Sequence, residues 1–172
     1  MSEKKAVGNP MLEEDEKFMR EAIRLAEIAK DLGEVPVGAV IVRDGEILCG
    51  AYNLRETNRM ATAHAELLAI EDACRILGGW RLPRAVLYVT MEPCPMCAGA
   101  IVNARIERVV YGVKSFSAGC CGSVLNFNAY PFNHSFEICG GVCEEECKAL
   151  LQSFFAKKRE EAQQEKSANQ DI

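Results

Sequence analysis

Positive charge is in short supply in this sequence. Its 20 Lys and Arg are outnumbered by 25 Asp and Glu, giving a formal net charge of -5. The broad basic footprint of a phosphate-gripping protein is absent, so any nucleic-acid partner must be held by local basic patches or by a shape-selective pocket. No apolar run approaches the roughly 18 residues of a membrane span. The opening Ser2-Glu3-Lys4-Lys5 has no apolar core, which argues against a secretory signal and leads us to expect a cytoplasmic protein with no membrane partner. The nine cysteines are an odd count, which disfavours a disulfide framework and points to metal binding or reduced, buried roles.

What is present is an ordinary globular balance. Apolar residues make up 49% and charged residues 26% of 172 positions, enough for one domain with its own core. We expect a loose tail over 1–12, one folded domain over 13–160 and a charged tail over 161–172. From Glu13 to Leu32, Phe18, Met19, Ala22, Leu25, Ala26 and Ala29 repeat at helical spacing, and Gly33 is the stop. Val37 to Val42 and Glu46 to Tyr52 read as two strands joined by the Asp44-Gly45 turn. A polar loop is expected from Asn53 to Ala61. Thr62 is the expected N-cap of a helix over Ala63 to Leu77 that ends at Gly78-Gly79.

Ala85 to Thr90 reads as a buried strand. Pro95 suits the first turn of a helix running to about Ala104. Arg108 to Val113 is a fourth strand, Lys114 to Ser135 is irregular, and Phe136 to Cys139 is a short fifth strand. The last helix is expected from Cys143 to about Arg159, with fraying from Glu160. Strands alternating with helices after an initial hairpin indicate an α/β protein with a layered mixed sheet.

Two segments carry chemistry: Thr62-Ala63-His64-Ala65-Glu66 and Glu92-Pro93-Cys94-Pro95-Met96-Cys97. Residues two apart on a helix flank point in nearly opposite directions, so His64 and Glu66 can share a site only off a helix N-terminus. Cys94 and Cys97 stand three apart at another helix start and share one face. Two helix N-termini can therefore converge, and their partial positive charge stabilises thiolates. One nitrogen and two sulfurs form a catalytic zinc set with an open fourth position, whereas structural zinc usually takes four protein ligands. Two thiolates offset the ion's charge, so water there acidifies less and needs a local base, for which Glu66 is the candidate.

Several other residues have plainer readings. His134 suits a structural hydrogen bond. Cys139, Cys143 and Cys147 lack metal-ligand spacing and, with Cys49, Cys74, Cys120 and Cys121, suit packing. Phe154 and Phe155 fit a helix core stripe, and Lys157-Lys158-Arg159 a solvated helix end.

The two motifs place the sequence beside a known family. It resembles the zinc-dependent nucleoside deaminases, most closely the bacterial tRNA adenosine deaminases. His-x-Glu with Pro-Cys-x-x-Cys, the Glu being no ligand, is their known signature, so the resemblance and the roles above are one observation. The match extends from about Glu13 to Arg159. It includes Glu34-Val35-Pro36-Val37-Gly38-Ala39, Asn53, Leu87-Tyr88-Val89-Thr90, Cys97-Ala98-Gly99-Ala100, Arg105-Ile106, Gly122-Ser123, Asn133-His134 and Phe154-Phe155.

The resemblance implies a cytidine deaminase-like fold, three layers with helices on both sheet faces. It implies a homodimer with one zinc per subunit acting on the wobble adenosine of a tRNA anticodon stem-loop. Zinc-activated hydroxide would attack C6 of the flipped adenine, Glu66 would shuttle protons, and inosine would result. It implies substrate contacts by Asn53, Val35, Pro36, Ala65, Ser115, Phe154 and Phe155, with Lys157-Lys158-Arg159 near the anticodon loop. Two positions depart from the family pattern: Ser115 and Met60 stand where Asp is usual. Ser115 can hydrogen-bond a ribose hydroxyl, but not as a charged acceptor. Two other readings remain open at this point: a deaminase of a free base or nucleoside (cytosine, cytidine or guanine type), and a zinc-stabilised binding module without turnover.

Overall fold

The structure is a computed structural model that describes residues 10–168; the first nine residues of the expected N-terminal tail and residues 169–172 lie outside the described residues. Five strands form one mixed sheet. They are β1 (Gly38–Arg43), β2 (Glu46–Tyr52), β3 (Ala85–Met91), β4 (Arg108–Val113) and β5 (Glu137–Gly140), in the spatial order β2-β1-β3-β4-β5. β1 pairs antiparallel with β2 and β3, and β3, β4 and β5 run parallel. Each parallel step needs a crossover connection: the helix α4 (Pro95–Ala104) between β3 and β4, and the long irregular segment between β4 and β5.

The sheet is covered on both faces, which explains why its central strands read as unbroken apolar runs. Alternate residues of β1, β3 and β4 face opposite layers. Ala39, Ile41, Leu87, Val89 and Val109 pack against Ala65, Ala69 and Ala73 of α3 (Ala65–Leu77) and Ile101 of α4. Val40, Val42, Tyr88 and Val110 pack against Phe18, Met19 and Ala22 of α1 (Pro10–Asp31), and against Cys147 of α5 (Glu144–Ala168). The three-layer α/β architecture expected from sequence is thus observed. Gly38 is needed for it: a Cβ there would collide with the Ala22 carbonyl of α1.

One buried ion pair fastens α1 to the sheet. Asp15, 3% exposed, accepts two bonds of 2.7 Å from the Arg108 guanidinium and one of 2.8 Å from the Tyr88 hydroxyl. Arg108 also bonds Glu137 at 3.0 Å, tying β4 to the edge strand β5.

The structure corrects several sequence expectations. The polar loop after Asn53 contains a one-turn helix, α2 (Arg55–Asn58). Its N-terminal amides are capped from far away: the Glu34 carboxylate accepts from Thr57 N at 2.6 Å and Glu56 N at 3.2 Å, so no local signal marks it. Thr62 is not the cap of α3. The N-cap is His64, in extended conformation, whose carbonyl accepts from Leu68 N. The irregular segment includes a 3-10 turn at Phe127–Ala129. β5 begins one residue later than expected and runs to Gly140. α5 does not stop near Arg159 but continues to Ala168, and α1 begins at Pro10. Among the described residues no helix is long and apolar enough to cross a membrane.

Candidate metal centre and active site

The site forms where two helices begin. His64 is the N-cap of α3 and Cys94 the N-cap of α4, both extended, with Cys97 in the first turn of α4. Pro95 at the first helical position fixes that turn without losing a needed N–H. The Cys-x-x-Cys spacing brings both sulfurs to one side of α4, and packing of α3 against β1 and β3 brings His64 to meet them. His64 Nδ1 lies 3.7 Å from Cys94 Sγ and 3.7 Å from Cys97 Sγ. Among the described residues, His64, Cys94 and Cys97 are the only His/Cys/Asp/Glu group of three or more with ligand atoms all within 4.8 Å of one another. A tetrahedral zinc with bonds of about 2.0 Å to nitrogen and 2.3 Å to sulfur sets N···S separations of about 3.5 Å. The observed spacing fits.

Electrostatics point the same way. The Cys94 thiol is drawn down to about 4, first by the hydrogen bond from Cys97, against the opposing effect of burial, with His64 assisting. Cys97 is driven far up by that same bond and by burial. His64 is raised by its bond to Cys94. Two sulfurs held this close share protons unequally by themselves, whereas a divalent cation stabilises both as thiolates.

Glu66 stands at the second residue of α3, 4% exposed, facing the same point. Burial pushes its carboxyl up to about 7, partly offset by the backbone amide at the helix start. A carboxyl poised there exchanges protons near neutral pH. His64 and Glu66, two apart, meet at one site because it lies off the end of α3 and not along its flank, as the sequence required.

His64, Glu66 and Cys94 line a cavity of about 380 Å³, with Cys97 buried behind them. Its wall includes Glu34, Val35, Asn53, Arg55, Ser115 and Ser117. Asn53 is buried and its Oδ1 accepts from Ala65 N at 3.0 Å. That bond fixes the amide's orientation and leaves its NH2 as the available donor. It also satisfies an orphan amide of α3, so Asn53 performs the capping that Thr62 was expected to perform.

Of the other sequence-selected residues, Val35 and Ser115 line the cavity, while Pro36 is buried outside its lining. Ala65 is fully buried and contributes its N–H to Asn53. Phe154 and Phe155 are not brought to this cavity. Phe154 is buried against the end of α1, beside Lys30, Asp31 and Gly33, and Phe155 is 44% exposed. Lys157 and Lys158 pair with Glu161 in an exposed helical turn. His134 makes a 2.7 Å contact with the Ile106 carbonyl, the structural bond expected of it.

Two buried carboxylates shape the cavity wall: Glu34, which sequence reasoning missed, and Glu92, which reads from sequence only as a hydrogen-bond acceptor at a helix entry. Glu34 holds α2, as above. Glu92, 3% exposed, holds the loop after β4: it accepts from Ser115 N at 3.0 Å, Cys121 N at 2.9 Å, Ser123 N at 3.1 Å and the Ser123 hydroxyl. That loop supplies Ser115, Ser117 and Ala118 to the cavity. The only sequence signal for Glu34 is its place inside a segment matching the family.

Comparison with known proteins agrees with this site. The family model for MafB19-like deaminases matches residues 13–159. A tRNA-specific adenosine deaminase of Bacillus subtilis (strain 168) is 49% identical over 160 residues, covering 92% of this chain and 98% of the relative. A solved structure from work on A-to-I editing by tRNA:A34 deaminases at the wobble position of transfer RNA is 41% identical, with a TM-score of 0.77 over 78% of this chain and 99% of that one. A guanine deaminase structure from Bacillus subtilis is 44% identical but covers 58% of this chain and 64% of its own, with a TM-score of 0.55.

Proposed function

We propose that this chain, which belongs to the MafB19-like deaminase family, hydrolytically deaminates the wobble adenosine of a tRNA anticodon to inosine. The observation that carries the reading is the meeting of His64, Cys94 and Cys97 beside a buried Glu66 at the wall of one cavity. Likeness along nearly the whole of the tRNA-specific relative supports adenosine in tRNA as the substrate, where the guanine deaminase likeness covers a smaller part.

His64, Cys94 and Cys97 would hold one zinc ion. Zinc in such a site makes water a nucleophile near neutral pH. The protein's own residues do the rest. Glu66 takes one proton from water and gives it to N1 of the purine, then takes the second from the hydroxyl added at C6 and passes it to the departing exocyclic nitrogen, so that water and adenosine give inosine and ammonia. Burial keeps its carboxyl near neutrality for both transfers. The Asn53 amide donates to the base, and Val35 walls its apolar face. The cavity accommodates a flipped base and excludes a stacked duplex. Outside the cavity, Phe154, Phe155 and the Lys157-Lys158-Arg159 turn are assigned to the anticodon loop, and a homodimer acting on cytoplasmic tRNA completes the reading from family resemblance.

The test is incubation of the purified protein with an anticodon stem-loop bearing a wobble adenosine, and separately with guanine, cytosine and cytidine. Inosine in the stem-loop is the expected outcome. Deamination of a free base with none in the stem-loop would replace this reading by the free-base one, which the guanine deaminase likeness favours.

A further inference from the structure

Phe116 is the most exposed large apolar side chain of the described residues, at 82%. Its neighbours in sequence are not. Ser115 is 4% exposed and lines the catalytic cavity, and Ser117 lines it from the other side of Phe116. The ring therefore stands at the cavity rim, anchored on both sides by residues of the wall. Among the described residues it makes no aromatic or cation–π contact.

The loop that presents it is tightly held. Glu92 binds Ser115 N, Cys121 N and Ser123 N, and Gly119 N closes a turn onto the Ser115 carbonyl at 2.8 Å. A ring carried outward on a held backbone next to this cavity needs no loop ordering before it can stack. Two cations stand near this cavity on an acidic chain: Arg55 lines it together with Glu34 and Glu56, and Lys114 directly precedes the lining residue Ser115. Both are exposed, and among the described residues neither makes an ion pair. An aromatic ring beside unpaired cations is the arrangement that holds single-stranded nucleic acid, the ring taking a base and the cations the backbone.

We propose that Phe116 stacks on a nucleobase adjoining the target adenine and so positions the loop nucleotide for entry into the cavity. Phe116 is thereby a positioning residue for RNA, touching the neighbour of the reacting base and not the reacting atoms. The inference rests on the RNA reading above.

Phe116→Ala and Phe116→Trp test it, assayed on the wobble-adenosine stem-loop and on two versions carrying an abasic nucleotide on the 5′ or the 3′ side of the target. Loss of one base–aromatic stack predicts about a 10-fold fall in kcat/KM for F116A, expressed in KM with kcat little changed, and near wild-type behaviour for F116W. One of the two abasic RNAs should lower wild-type kcat/KM by a similar factor and show no further loss with F116A. If the wild type converts the stem-loop and F116A stays within twofold of it, the inference is overturned and the tRNA reading stands. Independent, multiplying losses with both abasic RNAs overturn it too, as does a changed sedimentation mass for F116A, which would mean that a second copy covers the ring. If the wild type makes no inosine in the stem-loop, both the tRNA reading and this inference fall.

Discussion

Replacing Glu92 by Gln tests how the cavity wall is built. The carboxylate is buried and accepts four bonds from one loop. Oε1 takes Cys121 N and Ser123 N; Oε2 takes Ser115 N and the Ser123 hydroxyl. An amide has one oxygen and one NH2. With its NH2 at the Oε1 position, two backbone N–H groups would face a donor. At the Oε2 position only Ser115 N–H would, because the Ser123 hydroxyl can rotate to accept. Gln is therefore expected in the second orientation, leaving one buried amide without an acceptor. That costs about 1–3 kcal/mol, to which the lost charge assistance adds. For a chain of this size, about 2 kcal/mol lowers Tm by roughly 4–8 °C. Urea unfolding and calorimetry of Glu92→Gln measure it, with zinc content determined on the same samples. A stability within about 0.5 kcal/mol of wild type would refute the account. Gly119→Ala is an independent check. A Cβ there would press on the Glu92 carboxylate and lie 2.6 Å from the Ser115 carbonyl, so it should destabilise the same loop by displacing the carboxylate, with its charge retained.

Three further outcomes are expected. Glu66→Ala should retain zinc, measured by metal analysis, while losing deamination; zinc loss would make Glu66 a ligand, and retained turnover would remove it from the chemistry. Asp15→Ala strips Arg108 of its bidentate partner where the Arg108 side chain is only 14% exposed, and should cost about 3–5 kcal/mol in denaturant unfolding, whereas a surface-like loss under 1 kcal/mol would contradict the buried-pair description. For Glu34, burial pushes its carboxyl up but the bonds from Thr57 and Glu56 outweigh it, so its pKa lies below the ordinary 4.5. A lowered folded-state pKa contributes stability that is full above the unfolded value and disappears as pH falls through the folded one. Wild type should therefore lose stability on acidification below about pH 4.5 more steeply than Glu34→Gln, and parallel acid limbs in the two unfolding series would refute this.

The residues of the candidate metal centre and the carboxyl beside it were legible because their spacing is local. His64 and Glu66, two apart, require a site off a helix end, and Cys94 and Cys97, three apart behind Pro95, share one turn; both arrangements appear as read. The sheet was legible for a related reason: strands covered on both faces leave continuous apolar runs, and a period-2 or period-3.6 pattern is a property of neighbouring residues. The parts that stayed hidden depend on partners distant in the chain. α2 exists because Glu34 caps it from about 20 residues away, the start of α3 is capped by Asn53 and not by the nearby Thr62, and the loop carrying Ser115 is gathered by Glu92. Phe154 and Phe155 had two readings, core stripe and substrate contact, and packing placed Phe154 against the end of α1 and left Phe155 half open to solvent.

By itself, then, the amino-acid order settled which atoms can hold a metal and which carboxyl stands beside them, because short-range geometry follows from bond lengths and helix pitch. The scarcity of positive charge could say only that any nucleic acid must be met locally. Tertiary structure decided where: it set Arg55 in the cavity wall and Lys114 beside the lining residue Ser115, neither in an ion pair among the described residues, and left Phe116 open at the rim. Such a patch is assembled from segments about 60 residues apart, and no pattern in the chain marks side chains that become neighbours only when the sheet closes.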